Sequence, residues 1–234
     1  MNALNLNLVA AKQGDKALVG RWVEWLVLFV GVPLALRIWW QPLVLLAILV
    51  AVTAWGVWWL VRRRLPHYQP LWRGPVGRNE RRQFERILWR FAVSAILLLA
   101  VVGFFTPGKL FNMPRTQPML WLSVLVSYPL LSVYPQEVIY RALFFNRYRP
   151  LFRGAYATLL ASAGSFAFMH LVFQNWPAVL LTLIGGWLFA ETYARTYSLR
   201  LVWLEHTLYG ILIFTIGLGD YFYHANVGQA LGGT

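Results

Sequence analysis

The sequence contains no cysteine, which excludes disulfides, thiolate metal sites and cysteine nucleophiles. Charge is also scarce, because only 12% of the 234 residues are charged and only eight are acidic. Apolar residues make up 59% of the chain, far more than a soluble domain of this length needs to build one core. The surplus apolar surface predicts a protein that faces lipid.

The N-terminal sequence and the net positive charge also bear on the class of protein. The first twenty residues lack a charged region followed by a short apolar core and a small-residue cleavage site, so the first span is predicted to be an uncleaved anchor. The formal net charge of +13 would suit a nucleic-acid-binding protein. In a membrane chain, however, the Lys and Arg bias of cytoplasmic loops explains such a charge, so we predict no nucleic-acid partner.

Apolar stretches long enough to cross a bilayer occur seven times. They run near 22–38, 42–61, 91–107, 119–146, 155–174, 177–194 and 201–218. The predicted fold class is all-α, a polytopic transmembrane helix bundle of about seven spans in a single membrane domain, 1–234. Within it, 1–117 holds three spans and a basic cytoplasmic loop at 62–90, 118–218 holds the motifs discussed below, and 219–234 is a tail.

The basic residues predict how the bundle is oriented. With the N-terminus in the cytoplasm, most of the 21 Lys and Arg residues lie on the cytoplasmic side, and only Arg37, Lys109 and Arg115 lie outside. The basic loop carries several of these cations. It is interpreted as a loop that sets the topology, or as a helix lying on anionic membrane lipids with Phe84, Ile87 and Leu88 inserted.

Some spans have features that point toward helix packing. The fourth span contains Pro129 and Pro135, each of which removes a backbone donor, so we expect a kink or break there. Small residues at 161–165 in the fifth span and at Gly185 and Gly186 in the sixth predict a close approach of these helices.

Six ionisable residues lie inside or near the predicted spans, where each costs roughly 2.5 to 3.5 kcal/mol at mid-helix. They are Glu137, Arg141, His170, Glu191, Glu205 and His206. Glu137 and Arg141 are four residues apart, so they are predicted to form an ion pair on one helix face. Glu191 is interpreted as a packing or interface residue, whereas His67 and His224 are placed in loops.

Three kinds of chemistry suit the remaining residues. His170 and His206 can converge on Glu137, so that Glu137 and His170 activate a water for attack on a carbonyl while His206 donates to the oxyanion. A three-ligand zinc site is a lower-ranked alternative, because no His-Glu-x-x-His helix is present. A proton-relay transporter is the third, although no internal repeat supports it. We therefore predict no metal and no cofactor.

The order of three motifs resembles a known family. The segments are YPQEVIYR at 134–141, FAFMH at 166–170 and EHTLYG at 205–210, and they resemble the three motifs of the CPBP intramembrane proteases. This family includes CAAX prenyl endopeptidases and bacteriocin-processing proteins. Its pattern is EExxxR, FxxxH and HxxxN, in which the first Glu and the second-motif His activate water while the last His and the Asn form the oxyanion hole.

The chain departs from this pattern at two positions. Gln136 stands in place of the first Glu, and Gly210 stands in place of the Asn, whereas Arg141, His170 and His206 match. Because an amide cannot act as a general base, we hypothesise that Gln136 and Glu137 exchange roles, with the carboxylate as base and the amide as a donor. Glu205, next to His206, is a second candidate for the displaced carboxylate.

The resemblance implies a glutamic-type intramembrane endopeptidase that acts on a membrane-associated or lipid-anchored protein substrate. The alternative is a non-catalytic scaffold, chaperone or immunity protein of the same family, in which the buried polar residues form only a structural network. Either would be an integral membrane protein in contact with membrane lipids, and we expect it in a bacterial inner membrane.

Overall fold

The computed structural model describes residues 16–39, 41–63 and 78–222. Over these residues the chain forms helices and no β-sheet. Seven helices are long and apolar enough to cross a membrane. They are α1 (Lys16–Ile38), α2 (Pro42–Arg62), α3 (Arg78–Phe105), α4 (Pro118–Leu151), α5 (Ala155–Phe173), α6 (Trp176–Thr196) and α7 (Leu199–Ile216). The prediction of an all-α bundle with seven spans is confirmed.

The first three helices are exposed along much of their length. Large apolar side chains such as Ile38, Leu43 and Phe104 are 70%, 81% and 81% exposed. A soluble monomer rarely exposes contiguous apolar surface on this scale, whereas hydrocarbon tails accept it without cost. The outer surfaces of α1, α2 and α3 therefore suit lipid.

The core is built from the second half of α4 together with α5, α6 and α7. Nine of the eleven residues from Val138 to Tyr148 are buried, and α5, α6 and α7 are far more buried than the first three helices. Helix α2 packs against the second half of α4, and α3 packs along α7. Polar side chains on the inner helices are thus separated from lipid by protein.

Helix α4 continues through Pro129 and Pro135. Its hydrogen-bonding pattern widens to that of a π-helix at Tyr128–Val133 and again at Val138–Tyr148, with a short α-helical segment, Tyr134–Glu137, between them. Pro129 and Pro135 lie in the first turns of two of these segments, where a missing backbone donor is tolerated. The helix does not break at these prolines, and its hydrogen-bonding pattern changes there instead.

Helices α5 and α6 approach closely at Gly186. A Cβ added to this glycine would lie 3.2 Å from the Cα of Ala163 and 3.1 Å from a ring carbon of Phe166. This contact confirms the close approach predicted from the small residues of the two spans.

Helix α3 begins thirteen residues before the predicted span, at Arg78 rather than at 91. Its basic N-terminal part is continuous with the span, because Arg86 and Arg90 reach Glu191 on α6 at 3.0 and 2.8 Å. Ile87, predicted to insert into lipid, is 1% exposed and packs inside the protein. The rest of the predicted loop at 64–77, with His67, and the C-terminal residues including His224, lie outside the described residues.

The ends of α3 and α7 meet on the same side of the bundle. Gly217 ends α7 with a φ of +97°, and a side chain there would overlap the backbone carbonyl of Lys109. Lys109 Nζ also lies 3.2 Å from a carboxylate oxygen of Asp220. Two odd-numbered spans of one bundle must end on the same side, so these contacts fit the predicted alternation of the spans.

The predicted orientation is testable because the chain has no cysteine to give background labelling. Gln117 and Arg153 are both exposed and lie at opposite ends of α4. With a cytoplasmic N-terminus, Gln117→Cys reacts with a membrane-impermeant maleimide in intact cells, whereas Arg153→Cys reacts only after permeabilisation. The reverse pattern would show that the N-terminus lies outside.

Candidate active site

Glu137 is the centre of a buried ion cluster. Its Oε2 lies 3.3 Å from Nε of Arg141, and both side chains are fully buried. The spacing of four residues along α4 brings the two groups together, as predicted. In a medium without water, this pairing offsets part of the cost of burying either charge.

Aromatic faces hold the other side of the Arg141 guanidinium. Its central carbon lies 4.7 Å from the ring centroid of Phe166 and 5.5 Å from that of Phe189. One terminal nitrogen donates to the backbone carbonyl of Gly186 at 3.2 Å. The cation is thus stabilised by Glu137, by two π faces and by the carbonyl exposed at the tight α5–α6 contact.

His206 on α7 makes the second contact with Glu137. Its Nδ1 donates to Oε1 of Glu137 at 2.7 Å. The imidazole stacks on Phe189 with a centroid distance of 4.5 Å, and its Nε2 lies 3.2 Å from the hydroxyl of Tyr128. A carboxylate behind Nδ1 fixes the tautomer and orientation of a histidine and stabilises its protonated form.

His170 does not contact Glu137, although the sequence predicted that both histidines would converge on it. Its Nδ1 donates to the backbone carbonyl of Phe166 at 2.7 Å, so in the neutral ring Nε2 carries the free lone pair. The Phe166 ring lies against both imidazoles, 4.7 Å from His170 and 5.5 Å from His206 between centroids. The two histidines therefore flank one aromatic ring.

A cavity of about 450 Å³ brings these groups together. Its walls are mainly apolar, and the polar groups on them include His170, His206, Gln136 and Tyr128. Glu137 is not part of the wall. A smaller cavity of about 160 Å³ shares Ser132, Gln136, His170 and Phe173 with the first one, so these residues separate two apolar spaces.

Gln136 occupies the cavity-facing position that precedes Glu137. Its Nε2 donates to Oγ of Ser132 at 2.8 Å, while its Oε1 is buried without a hydrogen-bond partner. The amide nitrogen is thus engaged with Ser132, whereas the sequence hypothesis used it as a donor to the substrate.

Glu205 lies in a separate ion cluster. Its Oε1 accepts from Arg90 at 2.7 Å, and Arg90 also bonds Glu191 and Thr192. Glu191 further contacts Arg86 and Arg195. Both carboxylates thus tie α3 to α6 and α7, which for Glu191 is the packing role expected from sequence.

Two polar groups of the cavity were missed by sequence reasoning. Ser132 and Tyr128 lie about one and two turns before Gln136 on α4, in the more apolar first half of that span. The substitution of Gly210 for the Asn of the family pattern was the only signal, because it leaves a space that another side chain must fill. It does not indicate which residue fills that space.

No group of three His, Asp or Glu side chains within the described residues is arranged to hold a metal ion. The arrangement of the described side chains therefore does not support the lower-ranked alternative, a zinc site.

Comparison with known proteins identifies the region that carries this site. The sequence model of the family described as "Type II CAAX prenyl endopeptidase Rce1-like" matches residues 117–212. This range contains all three motifs, and the family resemblance predicted from them is confirmed. No curated protein and no solved structure matches the chain.

The buried carboxylate can be compared with a matched exposed one. Glu137 and Glu85 each pair with an Arg at a spacing of four, but the side chains of the Arg81–Glu85 pair are 81% and 61% exposed. Glu137→Gln leaves Arg141 buried with an uncompensated charge, so we expect a loss of about 3 to 5 kcal/mol in stability. Glu85→Gln is expected to cost less than about 0.5 kcal/mol.

Denaturant titration of both variants in detergent micelles measures this difference. Equal losses in the two variants would contradict the role of Glu137 as the centre of the cluster.

Proposed function

From the family match over residues 117–212, we propose that this protein is an intramembrane endopeptidase that hydrolyses peptide bonds of a membrane-associated or lipid-anchored protein substrate. The observation that carries the proposal is the pair of histidines on one apolar cavity, with one of them bonded to a buried carboxylate. We place the protein in a bacterial inner membrane.

In the proposed reaction, His170 is the general base. A water in the cavity donates one hydrogen to Nε2 of His170. As the water oxygen attacks the scissile carbonyl carbon, its proton passes to His170. Gln136 takes no proton in this scheme, so an amide at this position is compatible with the chemistry.

Collapse of the tetrahedral intermediate completes the reaction. The imidazolium of His170 returns its proton to the amide nitrogen, which leaves as an amine while the carbon–nitrogen bond breaks. The other product is a carboxylic acid that contains the oxygen of the water. One water is consumed, and His170 returns to its neutral state.

Glu137 acts in this scheme through His206, because it touches His206 and not the cavity. The negative oxygen of the intermediate needs donors fixed in place before the reaction. Glu137 and Arg141 hold His206 at the cavity wall, where its imidazole can face that oxygen. Glu137 is thus a positioning residue. His206 contributes to the oxyanion hole in its protonated form, because with Nδ1 bonded to Glu137 only a protonated Nε2 can donate.

The cavity suits an apolar substrate segment. Its volume lies within the range of about 300 to 1,000 Å³ that is usual for sites binding small ligands. A charged peptide would lose its hydration there without compensation. A lipid anchor, or apolar side chains next to the scissile bond, would instead gain by burial, which is why a lipid-anchored substrate is proposed.

A non-catalytic scaffold of the same family is the second candidate. Gln136 favours it, since a carboxylate at this cavity-facing position would be the stronger base. In a scaffold, the cluster of Glu137, Arg141 and His206 would serve only to hold α4, α6 and α7 together.

Removal of the proposed base gives the first test of activity. The probes are quenched fluorescent peptides with a farnesylated C-terminal CAAX sequence, with a palmitoyl anchor or with no anchor, offered to the protein in liposomes. His170→Ala is expected to lower kcat by about 10²- to 10⁴-fold. The control, Ile184→Ala, shortens an apolar side chain of the same cavity without removing a polar group, and it is expected to change kcat only a few-fold.

Undiminished cleavage by the His170→Ala protein would place the chemistry elsewhere. If the wild-type protein cleaves none of the three peptides, the endopeptidase proposal is contradicted.

The two candidate functions respond differently to Gln136→Glu. In an endopeptidase that relies on His170 alone, a carboxylate beside the water adds a second base, and kcat is expected to rise by about tenfold. An inactive wild-type protein that gains cleavage on Gln136→Glu would favour the scaffold. The measurement is the initial cleavage rate, with thermal unfolding of both proteins as the control for folding.

A further inference from the structure

The space beside Gly210 is already filled by another helix. A Cβ built on this glycine would overlap three ring and hydroxyl atoms of Tyr128. Gly210 lies one turn after His206 on α7, which is where a side chain would emerge next to the imidazole. Any residue larger than glycine at 210 would therefore require Tyr128 to move.

The hydroxyl of Tyr128 reaches the same imidazole that a side chain at 210 would flank. It lies 3.2 Å from Nε2 of His206, and Tyr128 forms part of the cavity wall. Its ring packs edge-on against Phe214 at a centroid distance of 5.4 Å. The phenol thus presents a fixed polar group to the cavity from an otherwise apolar segment.

We propose that Tyr128 donates the hydrogen bond to the oxyanion that a side chain at position 210 cannot supply. This inference rests on the proposed endopeptidase function and assigns one donor of its site. This assignment explains why position 210 holds a glycine and why Tyr128 lies beside His206, because glycine leaves room there for the Tyr128 ring.

The hydrogen bonds that connect Glu137, His206 and Tyr128 are consistent with this role. Nδ1 of His206 donates to Glu137. When His206 is neutral, the phenol donates to Nε2, and it must turn toward the substrate to bond the oxyanion. When His206 is protonated, Nε2 donates to the phenol oxygen, and the phenol hydrogen is free for the substrate oxygen. No proton is gained or lost by Tyr128 in either arrangement.

The first variant removes only the hydroxyl. With the three anchored or free peptides described above, Tyr128→Phe keeps the ring beside Gly210 and is expected to lower kcat by about 10²- to 10³-fold. The value of KM stays nearly the same, because an oxyanion donor acts in the transition state rather than on the bound substrate. The matched control is Tyr209→Phe, since Tyr209 also faces the cavity but its hydroxyl lies 3.3 Å from Ser94.

The second variant tests whether the two positions exchange. Gly210→Asn alone forces Tyr128 out of place and is expected to reduce activity and stability. Combined with Tyr128→Ala, the asparagine has room beside His206, so the double variant is expected to be about tenfold or more faster than Tyr128→Ala alone. A merely structural role for Tyr128 predicts no such recovery.

The outcomes separate this inference from the function on which it rests. If the wild-type protein cleaves and His170→Ala does not, but Tyr128→Phe keeps its full kcat, the inference is overturned while the endopeptidase stands. Equal losses in Tyr128→Phe and Tyr209→Phe, or a double variant no faster than Tyr128→Ala, also overturn it. A wild-type protein that cleaves none of the peptides overturns both proposals.

Discussion

The buried carboxylate of Glu137 is the interaction on which the rest of the site depends. It is shared between Arg141 on its own helix and His206 on α7, in a bundle whose outer surface is apolar. Removing one member leaves the others as uncompensated charges or orphaned donors, a far larger penalty inside protein than at a wet surface. This constraint fixes the register of α7 against α4. It also sets His206, and through it Tyr128, at the wall of the cavity.

The sequence predicted those features that lipid imposes on each segment separately. Seven spans follow from the number and length of the apolar stretches, and each is a helix because every backbone group must be satisfied inside hydrocarbon. The Glu137–Arg141 pair follows from helical spacing alone. The close contact at Gly186 was predicted for the same kind of local reason. Helix α3 extends well before the apolar stretch that begins near 91, and there Arg86 and Arg90 find partners in Glu191 and Glu205, two residues remote in sequence. Basic residues that look like a loop can then continue a helix.

The pairing of groups across helices was not accessible from sequence. His170 and His206 each lie in a motif, and nothing in the motifs decides which of them bonds Glu137; the packing of α5 and α7 around Phe166 and Phe189 decides it. The role of Gln136 depends likewise on which side of α4 faces the cavity, in a region where the helical pitch changes twice. Tyr128 carried no signal of its own, since a tyrosine in an apolar span usually indicates only an interface or a packed ring.

In the proposed reaction, water attacks a peptide bond at this cavity with His170 as its base. Mass spectrometry of the cleavage products formed in H₂¹⁸O tests it most directly. The wild-type protein is expected to place one ¹⁸O atom in the new C-terminal carboxylate of the farnesylated peptide. The His170→Ala protein is expected to give almost no labelled product. Labelled product at the wild-type rate from the His170→Ala protein, or no product from the wild-type protein, would contradict it.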